Sequence, residues 1–229
     1  MRKKKTFAIA IDGPSAAGKS TLAKKVANAL NFTYIDTGAM YRCVALFCQR
    51  NEIPFEDEKA VESILSKVDI HLDNGKVFLN GEDVTSAIRA NEMSKGASKV
   101  SKYVKVRLLM VKLQQKIAQK TNVVMDGRDI GTFVLPDAEI KIFLEANINE
   151  RAHRRYLENI ERGIEDNEQS ILENLIQRDY EDSHRSFAPL KQAEDAILVD
   201  TSNLDREKTF EKVMQIISDK VAKLKEKEN

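Results

Sequence analysis

The chain has 229 residues, of which 42% are hydrophobic and 32% are charged, and its formal net charge is +1. This length supports one good-sized core with room for a small inserted subdomain, and the composition is ordinary for a globular protein. A near-neutral charge argues against an electrostatic grip on long nucleic acid, which needs a large basic excess, so we expect no nucleic-acid partner.

The cysteines and the apolar runs bear on the cellular compartment. Cys43 and Cys48 have a spacing that fits neither a CxxC pair nor a disulfide framework, and it predicts two reduced side chains on or near a buried helix face. The basic start MRKKK is followed by the apolar run FAIAI, which stops at Asp12, short of a signal peptide's apolar region. No run is long enough to span a bilayer, so we expect a cytoplasmic protein with no membrane partner.

The first part of the chain alternates strand and helix patterns. TFAIAI is an apolar run typical of a strand buried on both faces, and FTYI predicts a second strand. Between them, STLAKKVANAL repeats apolar residues at helical spacing and ends at Asn31. Two more helices are predicted, one from Gly38 to about Asn51 and one in EDEKAVESILSKV behind Pro54.

The next segment has the pattern of a β-hairpin. IHLDNGKVFLNGEDVT contains two short alternating runs joined by Asn74 and Gly75, a dipeptide with a strong preference for hairpin turns. A lone hairpin within a strand–helix alternation indicates a small antiparallel insert. We expect this insert to carry a helical flank from about Ser86 to Ser101.

The rest of the pattern completes a parallel α/β fold. It predicts, in order, a helix over Tyr103–Lys120, strands in NVVMD and AEIKIFLEA, helices over Asn149–Glu161 and Glu168–His184, a strand in DAILVD and a last helix from near Asp205. Alternating strands and helices form a doubly wound parallel sheet with helices on both faces. The predicted fold class is therefore α/β with a small antiparallel insert.

A phosphate-binding loop lies between the first strand and the first helix. The segment GPSAAGKS matches the pattern GxxxxGK[ST], in which backbone N–H groups turn toward phosphate oxygens and the lysine reaches the β- and γ-phosphates. A hydroxyl of Ser20 or Thr21 is predicted to serve Mg²⁺, directly or through water. The predicted ATP-binding residues are Gly13, Pro14, Ser15, Ala16, Ala17, Gly18, Lys19, Ser20 and Thr21.

Arginines are numerous in the predicted helices and in the turns after strands. They are Arg42, Arg107, Arg128, Arg151, Arg154, Arg155, Arg178 and Arg185. Each alone fits an exposed charge, but together they exceed the need of ATP, and arginine is favoured where two hydrogen bonds grip a phosphate. An acceptor that already carries a phosphate explains the surplus. Its dianion attacks the γ-phosphoryl group without a general base, whereas a hydroxyl acceptor needs a carboxylate, for which Asp36 is the one candidate.

Several motifs together closely resemble the bacterial cytidylate kinase family. They are IAIDGPSAAGKST, YIDTGAMYR, NGEDVTSAIR, MDGRDIGTFVLPDAEIKIFL, ERAHRR, RDYEDSHRSFAPL and DAILVDTS. The resemblance implies a single nucleoside monophosphate kinase domain over 1–229 with a five-stranded parallel core, a substrate-binding insert near 66–102 and a helical lid near 151–170. It implies phosphoryl transfer from ATP to CMP or dCMP, with Mg²⁺ as cofactor, by a protein that we expect to be a monomer.

The resemblance also assigns roles to residues at matching positions. The positions near the substrate phosphate are Thr37, Arg42, Arg128 and Arg185. The positions that face cytosine are Ser98, Arg107 and Asp129, those that hold the sugar hydroxyls are Arg178 and Asp182, and Asp126 completes the predicted CMP-binding residues. The predicted catalytic residues are Lys19, Arg128 and Arg154, the last on a lid that closes on the phosphates.

The hydrogen-bonding pattern of cytosine supports the role of Asp129. The N4 amino group of cytosine is a donor that a carboxylate accepts, and N3 and O2 are acceptors that Arg107 can satisfy. Uracil reverses this pattern and leaves both side chains mispaired, which can discriminate by roughly 10⁴ or more. The alternative interpretation of Asp129 is a helix N-cap after Arg128.

Two residues depart from the family pattern, and two other functions stay open. Glu181 stands where an arginine is frequent, beside the sugar site, and Val104 stands where a proline is usual, on the helix that carries Arg107. The first alternative function is a kinase for another monophosphate, such as UMP, or for a hydroxyl acceptor. The second is an ATP-binding module without turnover.

Overall fold

The computed structural model describes residues 6–73, 75–161 and 163–228, which contain both strands and helices. The strands are β1 (Ala8–Asp12), β2 (Thr33–Asp36), β3 (Ile70–Asp73), β4 (Lys76–Leu79), β5 (Glu82–Asp83), β6 (Val123–Gly127), β7 (Ile140–Glu145) and β8 (Ile197–Asp200). The α-helices are α1 (Lys19–Leu30), α2 (Thr37–Arg50), α3 (Glu58–Ser63), α4 (Asn91–Val100), α5 (Val104–Ala118), α6 (Ile148–Glu161), α7 (Glu168–His184) and α8 (Arg206–Glu228). The predicted features outside the described residues are the basic start MRKKK, Asn74 of the hairpin turn and Arg162 within the predicted lid.

The chain divides into two compact units. The P-loop unit comprises the residues up to 34 and those from 121 onward, and the central unit comprises residues 35–120. The boundary at residue 34 falls inside β2. The limits expected for the insert, 66–102, and for the lid, 151–170, remain predictions. In the part of the chain that the structure describes, no helix is both long enough and apolar enough to cross a membrane.

A five-stranded sheet runs in the order β2-β6-β1-β7-β8. Strand β1 pairs in parallel with β6 and with β7, and β7 pairs in parallel with β8. The prediction of a five-stranded parallel sheet flanked by helices is confirmed. Asp12, the last residue of β1, lies opposite Gly127 of β6 and Phe143 of β7, so the carboxyl ends of three strands meet where the phosphate-binding loop begins.

The core of the P-loop unit is apolar because its central strand is covered on both faces. Ile9, Ala10 and Ile11 follow one another in β1, so their side chains point alternately to the two faces, and all three are fully buried. Helices α1 and α8 add Val26 and Val213 to the same cluster. Each fully buried aliphatic side chain contributes about 1.5–3 kcal/mol relative to an exposed one. This packing fixes the strand ends that carry the polar residues of the candidate site.

The central unit contains the antiparallel part of the fold. Strands β3, β4 and β5 form a three-stranded sheet in that order, and Ile70 lies opposite Leu79 with both side chains buried. Helices α2 and α4 approach closely at Gly96. A Cβ atom built on this glycine would lie 2.9 Å from the Cβ of Ala45 and from the ring of Phe55. Glycine at this position is therefore required by the packing.

Three local features differ from the sequence-based expectations. The predicted hairpin gains a third strand, β5, which is only two residues long and too short to show a periodic pattern. The helix expected over EDEKAVESILSKV is interrupted, since α3 ends at Ser63 and a 3₁₀ turn follows over Leu65–Lys67. A π-helical turn over Ile130–Val134 was not predicted at all.

The two cysteines lie on α2, and both thiols are free and buried, as predicted. Burial raises the pKa of Cys43 to about 12 and the pKa of Cys48 to about 11. Both groups therefore stay protonated at neutral pH, and a thiol in that state is a poor nucleophile. This agrees with a packing role for both side chains.

We expect Gly13→Ala to lower the free energy of unfolding by at least about 3 kcal/mol, because overpacking and backbone strain act together at this position. Gly13 has a φ of 148°, and a Cβ atom there would lie 2.1 Å from the carbonyl oxygen of Leu144. The matched control is Gly18→Ala, where φ is 86° but no atom lies within 4 Å of the added Cβ. Backbone strain alone predicts a loss of about 1–2 kcal/mol for the control. Equal losses in urea titrations of the two variants would contradict the steric argument.

Candidate active site

The phosphate-binding loop joins the carboxyl end of β1 to the amino end of α1. Helix α1 begins at Lys19, directly after Gly18, whose left-handed backbone starts the helix. The first N–H groups of a helix have no partner within it, and they attract anions. The predicted ATP-binding residues 13–21 therefore lie together in this loop and the first turn of α1.

Lys19 is buried in the loop without a carboxylate among its hydrogen-bond acceptors in the described structure. Its Nζ donates to the carbonyl oxygen of Pro14 over 2.6 Å, and the residue is 5% exposed. Burial, and after it the positive charge of Arg128, lowers the pKa of Lys19 well below its ordinary value. Phosphate oxygens would supply negative charge at this position, so nucleotide binding and protonation of Lys19 favour each other.

Asp126 lies at the carboxyl end of β6 beside the phosphate-binding loop. Its Oδ2 accepts from the Ser20 hydroxyl over 2.7 Å, and its Oδ1 accepts from the Tyr34 hydroxyl over 2.9 Å. The sequence analysis placed Asp126 among the CMP-binding residues, whereas its hydrogen bonds here connect it with the predicted ATP site. A hydroxyl next to a carboxylate is a donor set of hard oxygens, which fits Mg²⁺.

Four charged side chains of the P-loop unit form an alternating chain. Arg128 Nε donates to Asp182 Oδ2 over 2.8 Å, and the other oxygen of Asp182 lies 3.7 Å from Arg185 Nη1. Arg185 Nη2 in turn lies 3.3 Å from Asp129 Oδ1. These side chains come from the turn after β6 and from the end of α7, so the structure brings four of the predicted CMP-binding residues together.

Ion pairing decides the charge state of this chain. Burial opposes the charge of Arg128 most strongly, yet the Asp182 and Asp126 carboxylates raise the pKa of Arg128 above its ordinary value. Burial likewise opposes the charge of Asp182, but Arg128 and Arg178 lower the pKa of this carboxyl. Arg128 and Asp182 therefore carry their charges at neutral pH. Arg178, the second predicted sugar-binding residue, lies on α7 close enough to contribute.

Asp129 precedes the π-helical turn but does not cap it through its side chain. Its carboxylate is buried and pairs with Arg185, while its carbonyl oxygen accepts from the N–H groups of Phe133 and Val134 at 2.9 and 3.1 Å. The alternative interpretation as a side-chain N-cap is therefore not what the structure has. The carboxylate is instead held at the end of the charged chain.

Asp12 is a buried charged residue that the sequence analysis did not single out. Its two carboxylate oxygens accept from the N–H groups of Ile130 and Gly131 over 2.8 and 2.7 Å. Burial is the largest effect on this carboxyl and raises its pKa to about 6, against the opposing effect of the two N–H groups. The available signal was an acidic residue at the end of a buried strand, directly before the phosphate-binding loop.

Arg151 is a second functional candidate that the sequence analysis did not assign. It is the first arginine of ERAHRR, and its buried guanidinium donates to the carbonyl oxygens of Ala146 and Ser15 over 3.0 and 2.9 Å. A third contact joins it to Asp179 on α7 at 2.7 Å. One side chain thus connects the phosphate-binding loop, the start of α6 and helix α7.

Arg154, the predicted lid residue, contacts other parts of the P-loop unit than Arg151 does. Its Nη2 donates to the carbonyl oxygen of Thr201 over 2.7 Å and reaches that of Leu204 at 3.5 Å. These acceptors lie in the segment between β8 and α8. The structure therefore places Arg154 on the loop after β8, and its contact with phosphate stays a prediction.

In the central unit, Asp36 organises the predicted phosphate-binding residues. Its side chain accepts from the N–H of Ala39 over 2.8 Å and so caps α2, whose first residue is the buried Thr37. The same carboxylate lies 2.9 Å from Arg42 Nη2 and 3.2 Å from Arg89 Nη1. A carboxylate that accepts these three bonds is poorly suited to remove a proton from a hydroxyl acceptor.

Arg107 and Ser98, the predicted base-binding residues of the central unit, are linked through Ser101. The Ser101 hydroxyl donates to the carbonyl oxygen of Ser98 over 2.9 Å, and Arg107 Nη1 donates to that of Ser101 at 3.3 Å. Arg107 is only 1% exposed, and its guanidinium lies over the ring of Tyr41 at 5.7 Å from the centroid. A cation–π contact and a hydrogen bond thus hold this buried cation.

A parallel sheet with this phosphate-binding loop and these paired arginines defines a P-loop phosphotransferase. The family model described as "Cytidylate kinase" matches residues 9–219. Proteins named cytidylate kinase from Bacillus cereus and Bacillus thuringiensis are each 48% identical to this chain over 223 residues, which is 96% of this chain and 99% of theirs. The chain belongs to the cytidylate kinase family. The family resemblance in the sequence, and with it the prediction of a kinase, is confirmed.

Solved structures support the fold but no more than the fold. A gluconokinase from Sinorhizobium meliloti 1021 aligns with a TM-score of 0.51 and 12% identity, covering 98% of this chain and 96% of that one. An uncharacterized protein from Eubacterium ventriosum aligns with a TM-score of 0.52 and 16% identity, covering 94% of this chain and 99% of that one. At such low identity, these similarities concern the α/β architecture alone.

We expect Arg151→Lys to lower the free energy of unfolding by about 2–4 kcal/mol, because a lysine keeps the charge but cannot reproduce the three-way contact of a planar guanidinium. Arg155→Lys on the same helix is the matched control, since Arg155 makes an exposed pair with Glu158 at 3.1 Å. The control should change stability by less than about 0.5 kcal/mol. Guanidinium chloride titrations of both variants measure the difference, and indistinguishable midpoints would contradict a structural role for the Arg151 contacts.

The raised pKa of Asp12 predicts a pH dependence of stability with a definite sign. The folded protein holds a proton on Asp12 up to a pKa of about 6, whereas the unfolded chain releases it near 3.8, so stability falls as pH rises between these values. Relative to Asp12→Asn, the unmodified protein should therefore gain about 1–1.5 kcal/mol between pH 7 and pH 5. Unfolding of both proteins at the two pH values measures this difference. A constant difference would show that the pKa of Asp12 is not raised.

Proposed function

We propose that this protein transfers the γ-phosphoryl group of ATP to the 5′-phosphate of CMP or dCMP, producing ADP and CDP or dCDP. Membership of the cytidylate kinase family supports this function. The observation that carries it is the alternating chain of Arg128, Asp182, Arg185 and Asp129, which combines two arginines suited to phosphate with a buried carboxylate suited to a cytosine amino group.

The substrate phosphate would be bound by Thr37, Arg42, Arg128 and Arg185. Among the described residues, nothing accepts a hydrogen bond from the buried Nε of Arg42, which leaves a donor for an anion. A phosphate monoester is largely a dianion at neutral pH and needs no general base to attack. The engagement of Asp36 with Ala39 and two arginines supports such an acceptor over a hydroxyl group.

The base and the sugar would be recognised by separate residues. We assign the cytosine N4 amino group to Asp129, and the acceptors of the base to Arg107 and Ser98. The sugar hydroxyls are assigned to Arg178 and Asp182. Glu181, a departure from the family pattern near the sugar site, accepts from the side chain of Gln177 over 2.9 Å. Its charge is therefore engaged on the surface of α7.

The nucleotide would be bound by residues 13–21, with Mg²⁺ as the cofactor. When bound, this ion would neutralise charge on the phosphate groups. Ser20 would hold it through its hydroxyl, with the adjacent Asp126 acting directly or through water, and Thr21 is the alternative hydroxyl. Lys19 would contact the transferring phosphoryl group, for which it already lies at the end of the loop.

Lid closure would complete the site. We infer that Arg154 exchanges its contacts with Thr201 and Leu204 for phosphate oxygens when the segment near 151–170 closes. Closure excludes water, which would otherwise act as the acceptor and hydrolyse ATP. We further propose that the enzyme works in the cytoplasm as a monomer.

The proposed substrate specificity is tested by ADP release from Mg-ATP with CMP, dCMP, UMP, AMP and shikimate, each supplied separately. We expect CMP and dCMP to be the leading acceptors, because uracil leaves Asp129 and Arg107 mispaired. Asp129→Ala should weaken discrimination against UMP by about tenfold or more, with a smaller effect on the KM for ATP.

Two results would overturn parts of this proposal. A leading response to UMP or AMP would keep a P-loop kinase but reject the base assignment. Absence of stimulation by every acceptor would reject the kinase activity and favour an ATP-binding module without turnover. Shikimate separates a hydroxyl acceptor from a phosphate acceptor.

A further inference from the structure

We propose that Asp12 is a positioning residue for base recognition, because its carboxylate fixes the backbone turn that carries Asp129 and thereby sets the preference for CMP over UMP. This inference rests on the proposed role of Asp129 in binding cytosine. In the proposed function, Asp12 itself contacts neither the base nor a phosphate. It acts through the turn after β6.

The contact is bidentate and fully internal. Each carboxylate oxygen of Asp12 accepts one N–H, from Ile130 at 2.8 Å and from Gly131 at 2.7 Å. These are the two residues that directly follow Asp129 in the chain. Asp12 is only 5% exposed, so bulk water is not at hand to replace the carboxylate.

The turn depends on this external partner at its beginning. The first N–H groups of any helical turn lack partners within the turn. The Asp129 side chain does not supply one, and the Asp129 carbonyl is engaged by Phe133 and Val134 further along. The Ile130 and Gly131 N–H groups therefore use Asp12. Without it, two buried donors would be left unsatisfied, and the turn would shift to find acceptors.

Asp129 is consequently held from two sides. Its backbone is fixed through the neighbouring N–H groups on Asp12, and its carboxylate is fixed by Arg185 at 3.3 Å. Hydrogen-bond recognition of a base needs the acceptor within about 0.5 Å of its productive position. A carboxylate that moves further can admit water or rotate toward a different base edge, and discrimination then falls.

Asp12 also fixes the position of the turn relative to the phosphate-binding loop. Asp12 ends β1, and Gly13 immediately begins the loop. The side chain of Asp12 therefore holds the base-reading turn while its backbone continues into the loop that binds ATP. Two charged groups act on the Asp12 carboxylate, Lys19 with the opposite charge and Asp129 with the same charge. The aliphatic stem of Lys141 packs 3.1 Å from where a Gly131 Cβ would lie.

Stability alone gives little reason for a charged residue here. Burial opposes the charge of Asp12 more strongly than the two N–H groups support it. An asparagine at this position would remove the buried charge and still accept one of the two hydrogen bonds. Unlike an asparagine, the carboxylate accepts both hydrogen bonds at once. Replacing it should therefore impair function through the geometry of the turn, separately from any effect on folding.

The experiment compares kcat/KM for CMP and for UMP, together with the KM for ATP, in the full-length enzyme and in Asp12→Asn. The amide nitrogen of the variant would face one of the two N–H donors, so we expect the CMP-to-UMP ratio to fall about tenfold or more. The thermal midpoint should stay within about 5 °C, because loss of one bond is offset by loss of a buried charge. The control is Asp57→Asn, which alters an exposed helix N-cap that accepts from Ala60 over 3.0 Å and should leave the ratio unchanged.

A second variant keeps the test decisive if Asp12→Asn does not fold. Gly131→Ala perturbs the same turn beside Asp12, since its Cβ would lie only 3.1 Å from Lys141 Cδ, and it would also touch Asp12 Oδ2 at 3.4 Å. We expect it to lower the same ratio. Equal losses of kcat/KM for CMP and UMP, with the ratio intact, would overturn the positioning role and leave Asp12 as a structural residue only.

The design separates failure of this inference from failure of the proposed function. If Asp129→Ala relaxes the preference for CMP but neither Asp12→Asn nor Gly131→Ala does, the inference alone is rejected. If the unmodified enzyme has no preference for CMP, the base assignment is rejected and the inference with it.

Discussion

Buried charge at the carboxyl ends of β1 and β6 is the constraint on which the P-loop unit depends. Burying a charge without partners costs several kcal/mol, so each buried charged group needs a hydrogen-bonding group or an opposite charge at a fixed position beside it. Asp12 requires two N–H groups, Lys19 requires a carbonyl oxygen, and Arg128 requires Asp182. The conformation of the turn after β6 and the position of the end of α7 follow from these requirements.

The architecture was predictable from the sequence because it rests on local patterns. A strand buried on both faces reads as an uninterrupted apolar run, and the amphipathic helices repeat at helical spacing, so the bounds of α7 and the existence of every strand of the large sheet were anticipated. The departures have physical reasons. Strand β5 pairs over only two residues, and the π-helical turn is stabilised by a carboxylate more than a hundred residues away, which no local pattern reveals.

The candidate site shows the same division between local and distant information. The phosphate-binding loop is a continuous motif, and its nine positions were assigned from the sequence alone. Asp12 and Arg151 were missed because their roles are defined by partners distant in the chain: Asp12 binds residue 130, and Arg151 binds the carbonyl of Ser15. The hydrogen bond between the Asp126 carboxylate and the Ser20 hydroxyl joins residues 106 positions apart, so only the fold reveals it, and the predicted contact of Asp126 with CMP stays a prediction.

The predicted phosphate-binding arginines of both units pair with acids, and this has a consequence for the proposed reaction. Arg42 is held by Asp36, and Arg128 and Arg185 share Asp182. If these arginines bind a phosphate as proposed, they would exchange one anionic partner for another, so the guanidinium groups would need little reorganisation and the lost ion pairs would reduce the binding affinity. Such an arrangement favours orientation over tight binding. Asp36 also accepts from the N–H of Ala39 and from Arg89, which makes it a poor general base, and a reaction organised in this way suits an acceptor that brings its own negative charge.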